Sequence, residues 1–110
     1  MLFTTTDTLQ GQNIRKYFGV VTGISITGMS FVKDFFARIK DFTGGRVRSY
    51  ESDYKEAKAT AMREAADKAA QLGANAVIGV RFDHEVITFE KSAMIMVTCA
   101  GTAALVEESA

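Results

Sequence analysis

Side chains able to bind metal ions or move protons gather in one stretch of this chain: His84, Met94, Met96 and Cys99, with Asp83 and Glu85 beside the histidine. Imidazole suits zinc, copper or nickel, thiolate is a softer donor, and thioethers suit Cu(I). Their spacing matters because alternate residues of a strand share one face. Strands at about 76–87 and 93–106, joined by 88–92, read as a hairpin. If its turn centres between Glu90 and Lys91, His84 faces Val97 and Phe82 faces Cys99. His84 and Cys99 then become diagonal neighbours on one face, about 7–8 Å apart at Cα. They are the candidate metal ligands. Two donors fall short of the four of a structural zinc site, so copies from other subunits would have to complete the set. The ordinary reading of the same pair is a small buried hydrophobe and a hydrogen-bonded strand histidine near a rim.

The other candidates are weaker. Met94 and Met96 stand two apart on one strand face and could act as thioether ligands, but methionines flanked by Ile95 and Val97 more often fill a core or a subunit contact. Asp83 and Glu85, with Arg81, make a polar strand face that could become rings of charge around a cation in an oligomer; the plain alternatives are a solvated face or intersubunit ion pairs. Gly44-Gly45-Arg46, ahead of a helix expected to start near Ser49, has the ingredients of an anion site. It lacks the lysine and Ser/Thr spacing of a phosphate loop and does not follow a strand, so a plain interhelical turn is its ordinary reading. The single histidine sits among acids with no nucleophile or orienting partner in a recognisable arrangement. No catalytic residues are assigned, and a non-enzymatic protein is expected.

The elements that must position these residues follow from the pattern. In Leu72-Gly73-Ala74-Asn75-Ala76 an alanine-rich helical run stops at a glycine and passes directly into an apolar strand, so the helix folds back over a sheet. That helix is expected over about 49–72, with Tyr50, Tyr54, Ala57, Ala61, Ala65, Ala69 and Leu72 as its packing stripe and Glu51–Lys55 and Glu64–Lys68 as i,i+4 pairs. An earlier helix is expected behind Ser30, with Phe31, Phe35, Phe36, Ile39 and Phe42 on one side and Lys33, Asp34, Arg38 and Lys40 on the other. Residues 2–6 form a short strand, Gly11 closes a turn, and Ile14–Thr27 form a long strand in which Gly19 and Gly23 mark bulges or a close backbone approach. In the third strand Ile78, Val80, Phe82, His84 and Val86 share a face; in the fourth both faces look buried. The tail from Val106 looks loose. The order is ββααββ, an α+β class, in a single domain over 1–110.

Of the 110 residues 47% are hydrophobic, more than a small two-layer domain easily hides, which points to burial between subunits and a homo-oligomer. Thirteen basic residues balance thirteen acidic ones, so there is no electrostatic footprint for nucleic acid or an anionic membrane. No segment approaches the roughly 20 apolar residues of a membrane span, and the N-terminus lacks an export signal, so a cytoplasmic location is expected. One cysteine allows neither an intrachain disulfide nor a multi-cysteine zinc site within one chain.

The chain resembles the YbjQ-like family of bacterial proteins, which carries a heavy-metal-binding label. The resemblance rests on Thr4-Thr5-Thr6 with Leu9-Gln10-Gly11, Gly19-Val20-Val21-Thr22-Gly23, Asp34-Phe35-Phe36-Ala37, Gly44-Gly45-Arg46 with Tyr50-Glu51, Leu72-Gly73-Ala74-Asn75-Ala76-Val77, and Gly101-Thr102-Ala103, in that order. It implies a two-layer, dodecin-like subunit with an antiparallel-rich sheet and a long helix packed on it, assembling into a ring, a pentamer, with a metal ion as ligand. It implies no activity and no ligand set. Two alternatives of other classes stand beside a metal-binding ring: a structural module that presents surfaces to a protein partner, and a carrier of a small organic ligand.

Overall fold

Gly73 ends the helix as its position predicts. It sits at φ +93°, the Gly73 N–H bonds the Ala70 carbonyl at 3.0 Å, and the Ala74 N–H bonds the Ala69 carbonyl at 3.0 Å. A residue without Cβ takes this left-handed helix end at little cost. The computed structural model describes residues 1–27, 44–89 and 92–108. Within them run β1 (Leu2–Phe3), β2 (Gln12–Thr27), α1 (Gly44–Leu72), β3 (Ala76–Phe89) and β4 (Ser92–Glu108). One mixed four-stranded sheet has the order β1-β3-β4-β2, with β1 parallel to β3 and the other pairs antiparallel. Helix α1 packs on one face, giving the expected α+β class.

Small residues bring helix and sheet together. Ala57, Ala61, Ala65 and Ala69 are buried against Val21, Val77, Val80, Ile95, Val97, Cys99 and Ala103. Gly23 lies directly under the helix: a Cβ there would strike the Ala61 carbonyl oxygen and stand 2.8 Å from its carbonyl carbon and 2.9 Å from the Ala65 nitrogen. A smaller cluster on the opposite face joins Ala76, Ile78, Ala104 and Val106 to Leu9 and Ile14. Asn75 closes that end, donating from Nδ2 to the Val106 carbonyl at 2.9 Å and accepting the Val106 N–H at 2.8 Å. The residues from Val106 to Glu108 therefore belong to β4 instead of trailing as a loose tail.

Several expectations change in detail. The helix expected at 31–42 lies outside the described residues. Helix α1 begins at Gly44, five residues before Ser49, so Gly44 and Gly45 are helical and do not form an interhelical turn. Glycine weakens a helix mainly in its interior, whereas first-turn N–H groups have no intrahelical partner to lose. Leu72 is exposed, since no further turn shields the last helical residue. The hairpin connection is tighter than expected, with Phe89 opposite Ser92, although its centre is unchanged. Ile78 does not share a face with Val80: the ladder slips between Ile78 and Arg81, where Gly79 takes φ +60°, and this bulge sends Ile78 to the outer cluster and Val80 to the helix side. In β4, Ile95, Val97 and Cys99 are fully buried under the helix, while Met94, Met96, Thr98 and Ala100 on the outer face are only partly covered.

Candidate functional site

Register decides which donors meet. His84 pairs with Val97 and Phe82 with Cys99, as the hairpin spacing predicts, so His84 and Cys99 share the helix side of the sheet. The His84 imidazole meets the Tyr54 ring edge-on, with centroids 5.2 Å apart and planes at 84°. That contact orients the ring while leaving His84 exposed. Cys99 is 0% exposed. Burial pushes its thiol pKa up, and the charge of Lys58 pulls more weakly the other way. A thiol kept neutral is a poor ligand and nucleophile, since the thiolate carries both roles.

Asp83 and Glu85 sit on the other side of the strand from His84 because neighbouring side chains alternate. Asp83 stands opposite Thr98 and Glu85 opposite Met96. These residues and His84 line an open depression of about 270 Å³. Met96 thus lies beside the acidic pair, and Met94, opposite Ile87, shares its face as expected. No group of three or more histidine, cysteine, aspartate or glutamate side chains is arranged to hold a metal ion among the described residues. One chain's described residues therefore do not complete a coordination sphere. The weak anion-site candidate at Gly44-Gly45-Arg46 does not stand ahead of a helix, since all three residues belong to α1 itself.

Next to the acidic strip runs an apolar one. On β2, Val20 is 76% exposed, Ile24 47% and Ile26 59%, opposite Thr102, Thr98 and Met96 of β4. Strand β2 is also an edge of the sheet, and helix side chains cover part of that edge. The Ile24 N–H donates to Glu64 Oε2 at 3.5 Å, Lys68 Nζ donates to the Thr22 carbonyl at 2.8 Å, and the expected Glu64–Lys68 pair closes at 3.2 Å. Such cover blocks strand addition at those two residues.

The family model YbjQ_1, described as "Putative heavy-metal-binding", matches residues 1–107. The chain belongs to the YbjQ family. Its relatives include a UPF0145 protein of Clostridium botulinum (strain Eklund 17B / Type B), 47% identical over 107 residues, and one of Acetivibrio thermocellus, 45% identical over 107 residues; each alignment covers 97% of this chain and 100% of the relative. Among solved structures the YbjQ chain is similar to a protein of unknown function from the DUF74 family of Pediococcus pentosaceus, with TM-score 0.68, 19% identity, and coverage of 97% of this chain and 98% of that one. That likeness establishes the fold alone. The YbjQ relatives carry no enzymatic name. No helix among the described residues is long and apolar enough to cross a membrane.

Two side chains near the candidate ligands escaped the sequence reading. Lys58 stands 4.5 Å from the Phe82 ring centroid and is felt electrostatically at Cys99. Tyr54, a packing residue by its place in the stripe, also sets the His84 ring. The signal was present in the i,i+4 row Tyr54, Lys58, Met62, which flanks the alanine stripe and must cross β3 where that stripe crosses β2.

Proposed function

We propose that this chain is a subunit of a non-enzymatic, cytoplasmic homo-oligomer, a ring of five, that binds a heavy-metal ion with donors drawn from more than one copy. The observation that carries the reading is the outer face of the sheet, where Val20, Ile24 and Ile26 are left in water beside the half-covered Met96. Full burial of a valine or isoleucine side chain is worth about 1.5–3 kcal/mol, so covering three of them with a second copy favours association. Symmetry then answers the shortage of ligands within one chain, since each copy adds a further His84 and a further acidic pair. His84, exposed and oriented by Tyr54 on the helix side of the sheet, is the donor that a copy contacting that side would meet. Cys99 is the second candidate, and it must lose its proton and its cover before it can bind.

Native mass spectrometry of untagged protein, with elemental analysis of the same sample, tests assembly and metal together. The expected result is a pentamer with stoichiometric metal, which His84→Ala lowers without changing the subunit number. Ile24→Lys combined with Ile26→Lys, by contrast, releases folded monomer. A folded monomer for the unaltered chain would overturn the assembly. A metal-free ring that also takes up none of zinc, copper or nickel would overturn the metal reading and turn attention to protein partners.

A further inference from the structure

The helix side of the sheet holds a second open depression, of about 240 Å³, where α1, β3 and the N-terminal segment meet. Phe3, Met62, Val80 and Phe82 form its apolar walls; Thr4, Thr5 and Lys58 form the polar part. Main chain holds the rim in place. The Val80 N–H bonds the Thr4 carbonyl at 3.0 Å and the Gly79 N–H bonds the Thr6 carbonyl at 2.9 Å, tying the threonine segment to the Gly79 bulge. The depression thus depends on the same glycine that reverses the facing of β3.

Lys58 makes the space chemically selective. It is half-buried, and its ammonium lies over the Phe82 ring. Among the described residues no carboxylate pairs with it; the ion pairs there are Arg15–Glu107 and Glu64–Lys68. An ammonium drawn partly out of water, with an aromatic face as its partner among the described residues, gains more from an anion than an exposed lysine does. The apolar walls ask for a hydrophobic body on that anion.

We propose that this depression binds a small aromatic carboxylate, its carboxylate on Lys58 and its ring between Phe3, Met62, Val80 and Phe82. The site is independent of any metal. A bare inorganic anion leaves the apolar walls unfilled, and an uncharged ring leaves the ammonium without a counter-ion.

The test is a fluorine NMR titration of the full chain with 4-fluorobenzoate, in buffer containing a chelator so that the outcome does not depend on metal. Saturable binding of one molecule per chain is expected. Lys58→Met, which keeps the apolar stem, should weaken binding at least about tenfold, while Lys58→Arg stays close to the unaltered chain. The neutral probe 4-fluorobenzyl alcohol should bind at least about tenfold more weakly, and Lys58→Met should leave it unchanged. Met62→Trp, which fills the apolar end without touching the charge, should abolish binding of both probes and serves also if Lys58→Met does not fold. Absence of saturable binding to the unaltered chain overturns the proposal, as do equal affinities for the two probes or a Met62→Trp variant that binds as before.

Discussion

Replacing Gly23 by alanine isolates the close approach of α1 to β2. Gly23 has no positive φ, unlike Gly11 at +78° or Gly19 at +108°, so an alanine there meets no backbone penalty and its whole cost is steric. The added methyl would run into the Ala61 carbonyl oxygen and the Ala65 nitrogen, both main-chain atoms of a helix that cannot rotate aside. Ordinary contact is restored only if α1 lifts by more than about 1 Å, and a gap of 0.5–1 Å already forfeits a quarter to a half of each dispersion well. The methyls of Ala57, Ala61, Ala65 and Ala69 all lie on the lifted face. At about 0.8 kcal/mol for each methyl returned toward water, the loss is about 3 kcal/mol. For a domain of this size, 4–8 °C per kcal/mol puts the fall in Tm on the order of 12–24 °C. Thermal unfolding followed by circular dichroism, at one fixed protein concentration because assembly links Tm to concentration, reads it directly. Gly11→Ala is the comparison: nothing lies within 4 Å of its would-be Cβ, so only the cost of a left-handed alanine, about 1–2 kcal/mol, remains. Adding Ala61→Gly to Gly23→Ala should not restore stability, because the obstacle is the carbonyl and not the side chain. A Gly23→Ala protein that melts with the unaltered chain, or above Gly11→Ala, would refute the close-packed interface.

Asn75→Ala removes both hydrogen bonds to Val106, and at about 1 kcal/mol for each it should cost about 2 kcal/mol in urea unfolding; hydrogen exchange should show the loss of protection concentrated at the end of β4, and a uniform loss along the strand would count against the local role. The buried Cys99 thiol makes a pH prediction. Its folded-state pKa lies above the unfolded value, so the folded chain retains a proton that the unfolded chain releases, and this contribution to stability is lost as pH rises from the ordinary thiol range toward the raised value. Urea midpoints measured on the alkaline side should therefore fall more steeply for the unaltered chain than for Cys99→Ala. Parallel slopes would show that the thiol is not held neutral by burial.

Local patterns that carry their own geometry were legible in the sequence. Gly73 announced the helix end because only that residue type takes its conformation cheaply. The β4 partners of Phe82 and His84 followed from the turn position, since strand period is two and pairing propagates residue by residue. Gly19 and Gly23 within a strand pattern signal a bulge or a close approach, and the fold assigns one to each: Gly19 stands at a register shift of β2, Gly23 under α1. The family, too, was visible in motifs running the length of the chain. Tertiary structure alone decided the rest. The run Ile78, Val80, Phe82 alternates cleanly in the sequence, yet the Gly79 bulge places Ile78 on the opposite face, because the arriving N-terminal segment takes the Gly79 and Val80 N–H groups. Lys58 became a cation over an aromatic wall only when α1 crossed β3. His84 and Cys99 look alike as ligands in a sequence, but one is exposed against Tyr54 and the other sealed under the helix. Sequence determines what a residue can do chemically and its local backbone geometry; exposure, and the company a side chain keeps, arise from elements far apart in the chain.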